Sequence, residues 1–354
     1  MKPIYINSIG SVSAQKTYNN REFLTDVVSY FDTEIRVIDP DYKQFIPPAA
    51  ARRMAKGIKM STVSSQIAMT EAGLENVDAI IVGTGLGCIG DSEKFVSAII
   101  DNNEQFLTPT RFIQSSHNTV AGQIALGIGC KGHNFTFVHS SISFESALMD
   151  SKMMLENNEA ENILVGGVDE LVSHHIDTHK LIGHIKKEPV ATKDLLQSGT
   201  KGMIMGEGAS FFVLSNKKLP SCYAELVAIS TYNTLSKESL IAKVKSFLEE
   251  SKTLPETIDL VILGNNGDIE FDHYYDTLRN DLFKDTPQAY YKHLCGEFDT
   301  ASGFAFWLAN KILKTQTVPE AVQLNQKSKP TTGTVLLYNQ YRGENHSLTL
   351  LRRC

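Results

Sequence analysis

The sequence predicts an α/β fold in which strands alternate with helices that cover both faces of the sheet. Short β-branched runs such as residues 78–82 and 260–263 are each followed by a turn. Helical segments between such runs carry apolar residues at three- to four-residue spacing. The same order of elements starts again beyond the polar stretch at residues 216–220, which indicates an internal duplication of one α/β unit. We therefore predict two halves, residues 1–215 and 216–354.

Composition narrows the possible functions. The chain has 354 residues, with 34 Lys and Arg against 40 Asp and Glu, and a net charge of −6. Without a basic stripe, neither a nucleic acid nor a membrane is an expected partner. The five cysteines are dispersed and lack metal-type spacing, which indicates reduced thiols. No signal peptide or membrane-spanning run is evident, so the expectation is a soluble, cytoplasmic protein.

The first ninety residues contain four recognisable elements and one glycine-rich loop. Residues 4–9 resemble a strand, residues 21–31 a short helix, and a longer helix opens at residues 52–54 and stops at Gly73. The strand at residues 78–82 leads into a glycine-rich loop, Gly83 to Gly87. We reject dinucleotide binding there, because the spacing departs from G-x-G-x-x-G and the acidic residue that the motif requires is missing.

Residues 134–168 have the outline of a nucleophile elbow. A strand ends at Val138, His139-Ser140-Ser141 form a turn, and an amphipathic helix begins at about Phe144. The next strand includes residues 163–165. A side chain in such a turn lies beside the unpaired amides and the positive dipole end of the helix, where a thiolate or alkoxide is stabilised.

A histidine-rich segment follows. It contains His174, His175, His179 and His184, and two of these, His175 and His179, share a helix face at i, i+4. The carboxylate ligand and the catalytic glutamate of a metalloprotease motif are missing. We therefore predict an exposed or partly buried helix with no metal site, and no cofactor.

The second half starts after a glycine-rich turn at residues 202–208 and the apolar strand that follows it. We predict a strand at residues 223–229, a helix at 238–250 and a buried strand at 260–263.

Taken in order, several short motifs resemble those of the β-ketoacyl-acyl-carrier-protein synthases. These landmarks are Arg53-Met54, Gly83-Thr84-Gly85, Asn118 with Ala121-Gly122, Gly166-Gly167, and Met205-Gly206-Glu207-Gly208-Ala209. Each motif is weak alone, but their joint order and spacing are specific. The resemblance covers nearly the whole chain and implies the thiolase fold, with two duplicated halves in a layered α-β-α-β-α arrangement.

The resemblance also implies that the catalytic set is missing. Members of the family use a cysteine nucleophile and two histidines, and cysteine suits the task because a helix N-terminus populates its thiolate. By the family's spacing these three positions fall on Ser141, Gly264 and Glu297. The flanking Lys292, Gly296 and Gly303 are retained, whereas residues 341–345 replace a glycine-rich gate with a bulky, charged loop.

The resulting first hypothesis is a non-condensing subunit similar to the chain length factors. Such a subunit forms a heterodimer with an active ketosynthase, works with an acyl carrier protein, and shapes a tunnel in fatty acid, polyketide or aryl polyene biosynthesis. The expected dimer contact is the strand at residues 134–138, and a homodimer in isolation is the other expected state. The residues expected at the substrate or tunnel region are Ser140, Ser141, Phe144, Lys292, Tyr341 and Arg342.

Two alternatives remain open. The first is an acyltransferase or hydrolase in which Ser141 is acylated and His139, Glu297 or His293 acts as base. The second is a free-standing scaffold that holds an acyl carrier. Ser141 also has a purely structural interpretation, as a small residue required for packing at the turn.

Overall fold

The computed structural model describes residues 2–354. Its strands, in chain order, are β1 (Tyr5–Val12), β2 (Phe31–Asp32), β3 (Ala79–Gly83), β4 (His133–Phe137), β5 (Asn162–Asp169), β6 (Val190–Ala191), β7 (Gly208–Ser215), β8 (Ala224–Asn233), β9 (Leu260–Leu263), β10 (Gln288–Tyr290), β11 (Thr334–Tyr341) and β12 (Asn345–Arg353). Its helices are α1 (Pro48–Ala51), α2 (Lys56–Ala72), α3 (Ile89–Asp101), α4 (Pro109–Gln114), α5 (Thr119–Ile128), α6 (Ser143–Glu156), α7 (Ser173–Leu181), α8 (Lys237–Glu250), α9 (His273–Thr277), α10 (Lys292–Cys295) and α11 (Ser302–Thr315).

Two sets of five strands share one topology. From its outer edge inwards the first set runs β4, β3, β5, β7, β1, and the second runs β10, β9, β11, β12, β8. In both sets the three outer strands pair in parallel and the inner pairings are antiparallel. The sets join where β1 pairs with β8 over two residues. This repetition of order and direction confirms the predicted duplication, although the boundary after Ser215 stays a prediction.

Helices lie between the two strand sets and on their outer faces. The largest apolar cluster joins α6 and α11 to strands of both sets. Helix α2 covers the outer face of the first set and α8 that of the second. The order of layers is helix, sheet, helix, sheet, helix, so the predicted fold class is confirmed.

Two sequence-based expectations about helices are wrong. Residues 21–31 form an irregular strap instead of a helix. The Gln15 side chain holds this strap by accepting a hydrogen bond from the Val28 N–H and donating one to the Val28 carbonyl. Such long-range hydrogen bonds override a short periodic pattern. The long helix begins at Lys56 instead of residue 52, after the short helix α1.

The expectation of five reduced thiols is wrong for two cysteines. Cys222 and Cys354 form a disulfide, which ties the C-terminal end of β12 to the segment before β8. Cys88 and Cys295 are buried free thiols, and burial raises the pKa of both. No helix in residues 2–354 combines the length and apolarity that crossing a bilayer requires.

Candidate functional site

The predicted elbow is present between β4 and α6. A 3₁₀ turn, Ser140–Ile142, connects the two elements. Ser140 has a φ of 51°, a left-handed conformation that is uncommon for a residue other than glycine. The Ser143 hydroxyl fixes this turn, because it accepts from the His139 N–H at 2.8 Å and donates to the Ser140 carbonyl at 2.6 Å. These local hydrogen bonds therefore stabilise the left-handed conformation of Ser140.

The two serines of the elbow have different surroundings. The Ser141 hydroxyl is buried and accepts a hydrogen bond from Nδ2 of Asn345 at 3.1 Å. Nδ1 of His139 instead pairs with the Ser146 hydroxyl at 3.0 Å. Within residues 2–354, no imidazole or carboxylate hydrogen-bonds to the Ser141 hydroxyl. Ser140 is exposed, and its hydroxyl donates to Oδ1 of Asp299 at 3.1 Å.

A cavity of about 210 Å³ opens beside Ser140. Four carboxyl groups line it, and no Lys or Arg among residues 2–354 does. Its lining residues are Leu86, Ser140, Asp169, Glu170, Leu171, His175, His179, Met203, Met205, Gly206, Glu297, Phe298, Asp299 and Tyr341. The cavity thus brings together Ser140, Glu297 and Tyr341 from the predicted set, while Asp169 and Asp299 are members that sequence reasoning missed.

Asp169 and Asp299 form an unequal pair of carboxyl groups. Oδ2 of Asp169 accepts from the N–H and the hydroxyl of Thr300, and Oδ1 accepts from Thr84 and Gly85. Burial, together with the nearby Asp169 carboxylate, raises the pKa of Asp299 to about 7. Burial also raises the pKa of Asp169, and the hydrogen bonds that it accepts from Thr84, Gly85 and Thr300 offset part of that rise.

Glu297 takes part in a buried ion pair. Its carboxylate accepts from Nζ of Lys292, and both side chains are almost fully buried, at 2% and 1% exposure. Nδ2 of Asn266 donates to the same Glu297 oxygen at 2.7 Å. Asn266 comes from the loop after β9 and Lys292 from α10, so the pair links two loops of the second half beneath the cavity.

Gly264 leaves no room for a side chain. A Cβ built on it would lie 2.3 Å from Oδ1 of Asn339 and 2.7 Å from the Tyr275 hydroxyl. The Tyr275 hydroxyl is itself held by the backbone of Gln340, to which it donates at 3.1 Å and from which it accepts at 3.0 Å. Packed groups therefore fill the space at the Gly264 position.

The family model of the β-ketoacyl synthase N-terminal domain matches residues 8–219 of the chain. The chain belongs to the β-ketoacyl synthase family. No curated protein sequence matches it significantly. Similar solved structures cover the whole chain at low sequence identity, so they show a shared ketosynthase fold.

Three of these structures illustrate the likeness. The ishigamide ketosynthase/chain length factor is 16% identical, with a TM-score of 0.81 and coverage of 100% of this chain and 99% of that one. AntDE:AntF, a type II PKS acyl-carrier protein in complex with its ketosynthase bound to the hexaketide, is 12% identical, with a TM-score of 0.80 and coverages of 100% and 99%. The ketosynthase ApeO in complex with its chain length factor ApeC, from Xenorhabdus doucetiae, is 16% identical, with a TM-score of 0.77 and coverages of 100% and 98%.

Residues 341–345, which the resemblance places at the family's glycine-rich gate, form a tight hairpin turn between β11 and β12. Arg342 has a φ of 49°, and its guanidinium lies 4.6 Å from the centre of the Phe271 ring. The Gly343 N–H donates to the Gln340 side chain at 2.8 Å. Tyr341 lines the cavity, and burial raises its pKa. These contacts hold the loop against the cavity from one side.

Aromatic rings fill the space behind the elbow. Phe144, Phe212 and Phe306 pack with ring centres 4.7 to 5.7 Å apart. The adjoining cavity measures only about 10 Å³, and buried Glu145, whose pKa burial raises, lines it. Within residues 2–354, this region is too small for an acyl chain. Phe144, expected at the tunnel, is thus part of the central core.

The histidine-rich segment packs upon itself. His179 lies between His175 and His184, with ring centres 4.4 and 5.2 Å away. Burial and the neighbouring imidazoles lower the pKa of His179 to about 4. Across residues 2–354, no group of three or more His, Cys, Asp or Glu side chains is arranged to hold a metal ion. His293 is also engaged elsewhere, since its Nε2 pairs with the Ala321 carbonyl at 2.8 Å.

The packing at Gly264 gives a testable prediction. Gly264→Ala is expected to lower the free energy of unfolding by about 1–3 kcal/mol, because the added methyl group displaces Asn339 or Tyr275 from a packed core. Denaturant unfolding of the purified variant measures this change. Gly122→Ala is the matched control, because a Cβ there meets nothing within 4 Å and alanine favours the helix. Equal stability of the two variants would contradict the interpretation.

Proposed function

We propose that the chain is a non-condensing subunit that pairs with an active ketosynthase, in the manner of a chain length factor. The observation that carries this proposal is the state of the three positions assigned to the family's catalytic residues. Ser141 is capped by Asn345, Gly264 is packed against Asn339 and Tyr275, and Glu297 is tied to Lys292. At each of the three positions, the residue is engaged in contacts within the chain and carries no cysteine or histidine side chain. Condensation therefore requires a second subunit with an intact catalytic set.

The edge of the first strand set supports a protein partner. Strand β4 ends the sheet, which leaves one side of its backbone open for pairing. Alternate residues along β4 and just beyond its end form an aromatic row, His133, Phe135, Phe137 and His139, with successive ring centres 6.0, 4.9 and 5.6 Å apart. We refer to these four residues as the aromatic row.

Exposed apolar side chains are concentrated in the part of the chain between β3 and α6, which includes β4. They lie on α3, α4, α5 and the connecting loops: Val96, Ile100, Phe106, Phe112, Ile113, Leu126 and Val138. Exposed apolar groups in such number mark an interaction surface. We assign this surface and β4 to the contact with the ketosynthase subunit.

The solved neighbours favour this assignment over a free-standing role. Two of them are described as ketosynthase and chain length factor together, and a third as a ketosynthase with an acyl-carrier protein. In the proposed assembly the carrier delivers acyl groups to the active subunit, and the present chain forms one wall of the tunnel. Fatty acid, polyketide and aryl polyene pathways are the proposed settings.

Co-expression with a ketosynthase encoded beside this chain tests the proposal. We expect a stable 1:1 complex by native mass spectrometry, with condensation that depends on the cysteine of the partner. A chain that forms only homodimers, or that condenses acyl groups without a partner, would contradict it. The Ser141 hydrolase alternative has less support, because the Ser141 hydroxyl is capped and His139 is engaged by Ser146.

A further inference from the structure

We propose that Ser140 and Asp299 form a nucleophile and base pair that hydrolyses short, uncharged acyl thioesters. This activity is separate from the role as a partner subunit. The pair is 159 residues apart in the sequence but is joined by a 3.1 Å hydrogen bond at the wall of the 210 Å³ cavity. Ser140, and not the family-aligned Ser141, presents its hydroxyl to this cavity.

The backbone at Ser140 suits an acyl acceptor. Ser140 has a left-handed backbone conformation, and its side chain is exposed. The turn that contains it continues directly into α6. The N–H of the next residue, Ser141, has no hydrogen-bond acceptor among residues 2–354. In nucleophile elbows the N–H after the nucleophile donates to the oxyanion that forms on attack. The Ser141 N–H is placed to do this for Ser140.

Asp299 has the surroundings of a general base. Its carboxyl group packs directly on Gly85, where a Cβ would lie only 1.8 Å from Oδ2, so the position requires glycine. Asp169 lies nearby and is fixed by Thr300 and Gly85. The pKa of Asp299, about 7, allows it to take and return a proton near neutral pH.

The reaction proceeds in two balanced steps. In the first, Asp299 takes the Ser140 proton as Oγ bonds to the thioester carbonyl carbon. The carbon–sulfur bond then breaks, and the leaving thiol takes that proton. In the second, Asp299 takes a proton from water as the water oxygen attacks the serine ester. The carbon–Oγ bond breaks, Ser140 regains its proton, and a carboxylic acid is released.

The cavity lining defines the substrate class. Leu86, Met203, Met205 and Phe298 offer apolar contact, and no Lys or Arg among residues 2–354 lines the cavity to pair with an anionic acyl group. With a volume of about 210 Å³ the cavity admits a short acyl group and not a long chain. Acetyl and propionyl thioesters are therefore favoured over malonyl thioesters.

The experiment uses the purified full-length chain with acetyl-N-acetylcysteamine as the probe. Thiol release measures hydrolysis, and tandem mass spectrometry of the peptide containing residues 140 and 141 locates the acetyl ester. We expect the ester on Ser140 and hydrolysis that increases as the pH rises through about 7. Asp299→Asn is expected to lower the rate by about 100-fold or more and to flatten this pH profile. Malonyl-N-acetylcysteamine is expected to react at least about 10-fold more slowly.

Two variants remove the hydroxyl. Ser140→Ala and Ser140→Gly should both abolish ester formation, and the glycine variant tolerates the left-handed backbone, so misfolding does not obscure the result. Ser246→Ala is the matched control, because Ser246 forms an exposed 3.0 Å hydrogen bond with Glu250 far from the cavity. An ester on Ser141, activity that survives in Ser140→Gly, or no thiol release from folded protein would each overturn the proposal. Complex formation with a ketosynthase should be unchanged in all of these variants, which separates this test from that of the proposed function.

Discussion

Replacing Phe135 with aspartate is expected to weaken binding of the proposed ketosynthase partner by at least about 30-fold. Phe135 is 47% exposed and lies at the middle of β4, where its ring contacts His133 and Phe137 of the aromatic row. Aromatic residues at the centre of an interface contribute about 2 kcal/mol or more, and a buried, unpaired carboxylate adds a desolvation cost. Titration of the purified subunits by isothermal calorimetry measures the affinity.

Leu254→Asp is the control for this experiment. Leu254 is 60% exposed, so the substitution adds the same charge at an equally accessible apolar site. It precedes a short turn before β9, on the opposite half of the chain from β4. We expect the affinity for the ketosynthase to be unchanged in this variant. Equal loss of binding in both variants would show that added charge, and not the β4 surface, weakens the complex.

The sequence identifies elements best where an apolar period or a compact β-branched run marks them. The strand at residues 260–263 and the helix that follows the elbow match their predictions closely. The sequence does not predict helix α11. Residues 302–313 are buried on every side of the helix, so apolar and polar positions do not alternate with a helical period. The prediction of a helix at residues 21–31 is wrong for a different reason. Hydrogen bonds from Gln15, which lies outside this segment, determine its path.

The sequence predicts the loops of the candidate site but not the pairing of its side chains. The motifs around residues 141, 264 and 297 locate the loops, because their glycines and the lysine are retained. The pairing of Ser140 with Asp299 depends on tertiary packing between two loops from different halves. The sequence offered a signal in Asp299 itself, an acidic residue two positions after Glu297, but no local pattern indicates which serine it meets.

The buried pair of Lys292 and Glu297 gives the largest expected effect on stability. Glu297→Ala is expected to lower the free energy of unfolding by about 3–5 kcal/mol, because it leaves the Lys292 ammonium buried without its counter-charge. Asn266 would also lose the acceptor for its side-chain N–H. Denaturant unfolding at fixed pH measures the change. Glu270→Ala serves as the control, since the pair of Glu270 with Lys201 is exposed and solvent screens it, so the stability is expected to stay almost unchanged.

A double variant shows whether the charge itself is responsible. Lys292→Met with Glu297→Gln removes both charges and preserves side-chain length, so it is expected to recover most of the stability lost in Glu297→Ala. Recovery would mean that the charges are not required and that the two side chains contribute packing beneath the cavity. If the double variant is as unstable as Glu297→Ala, the ion pair and its bond to Asn266 specify the arrangement of the two loops. In that case the fold of the chain requires the carboxylate of Glu297.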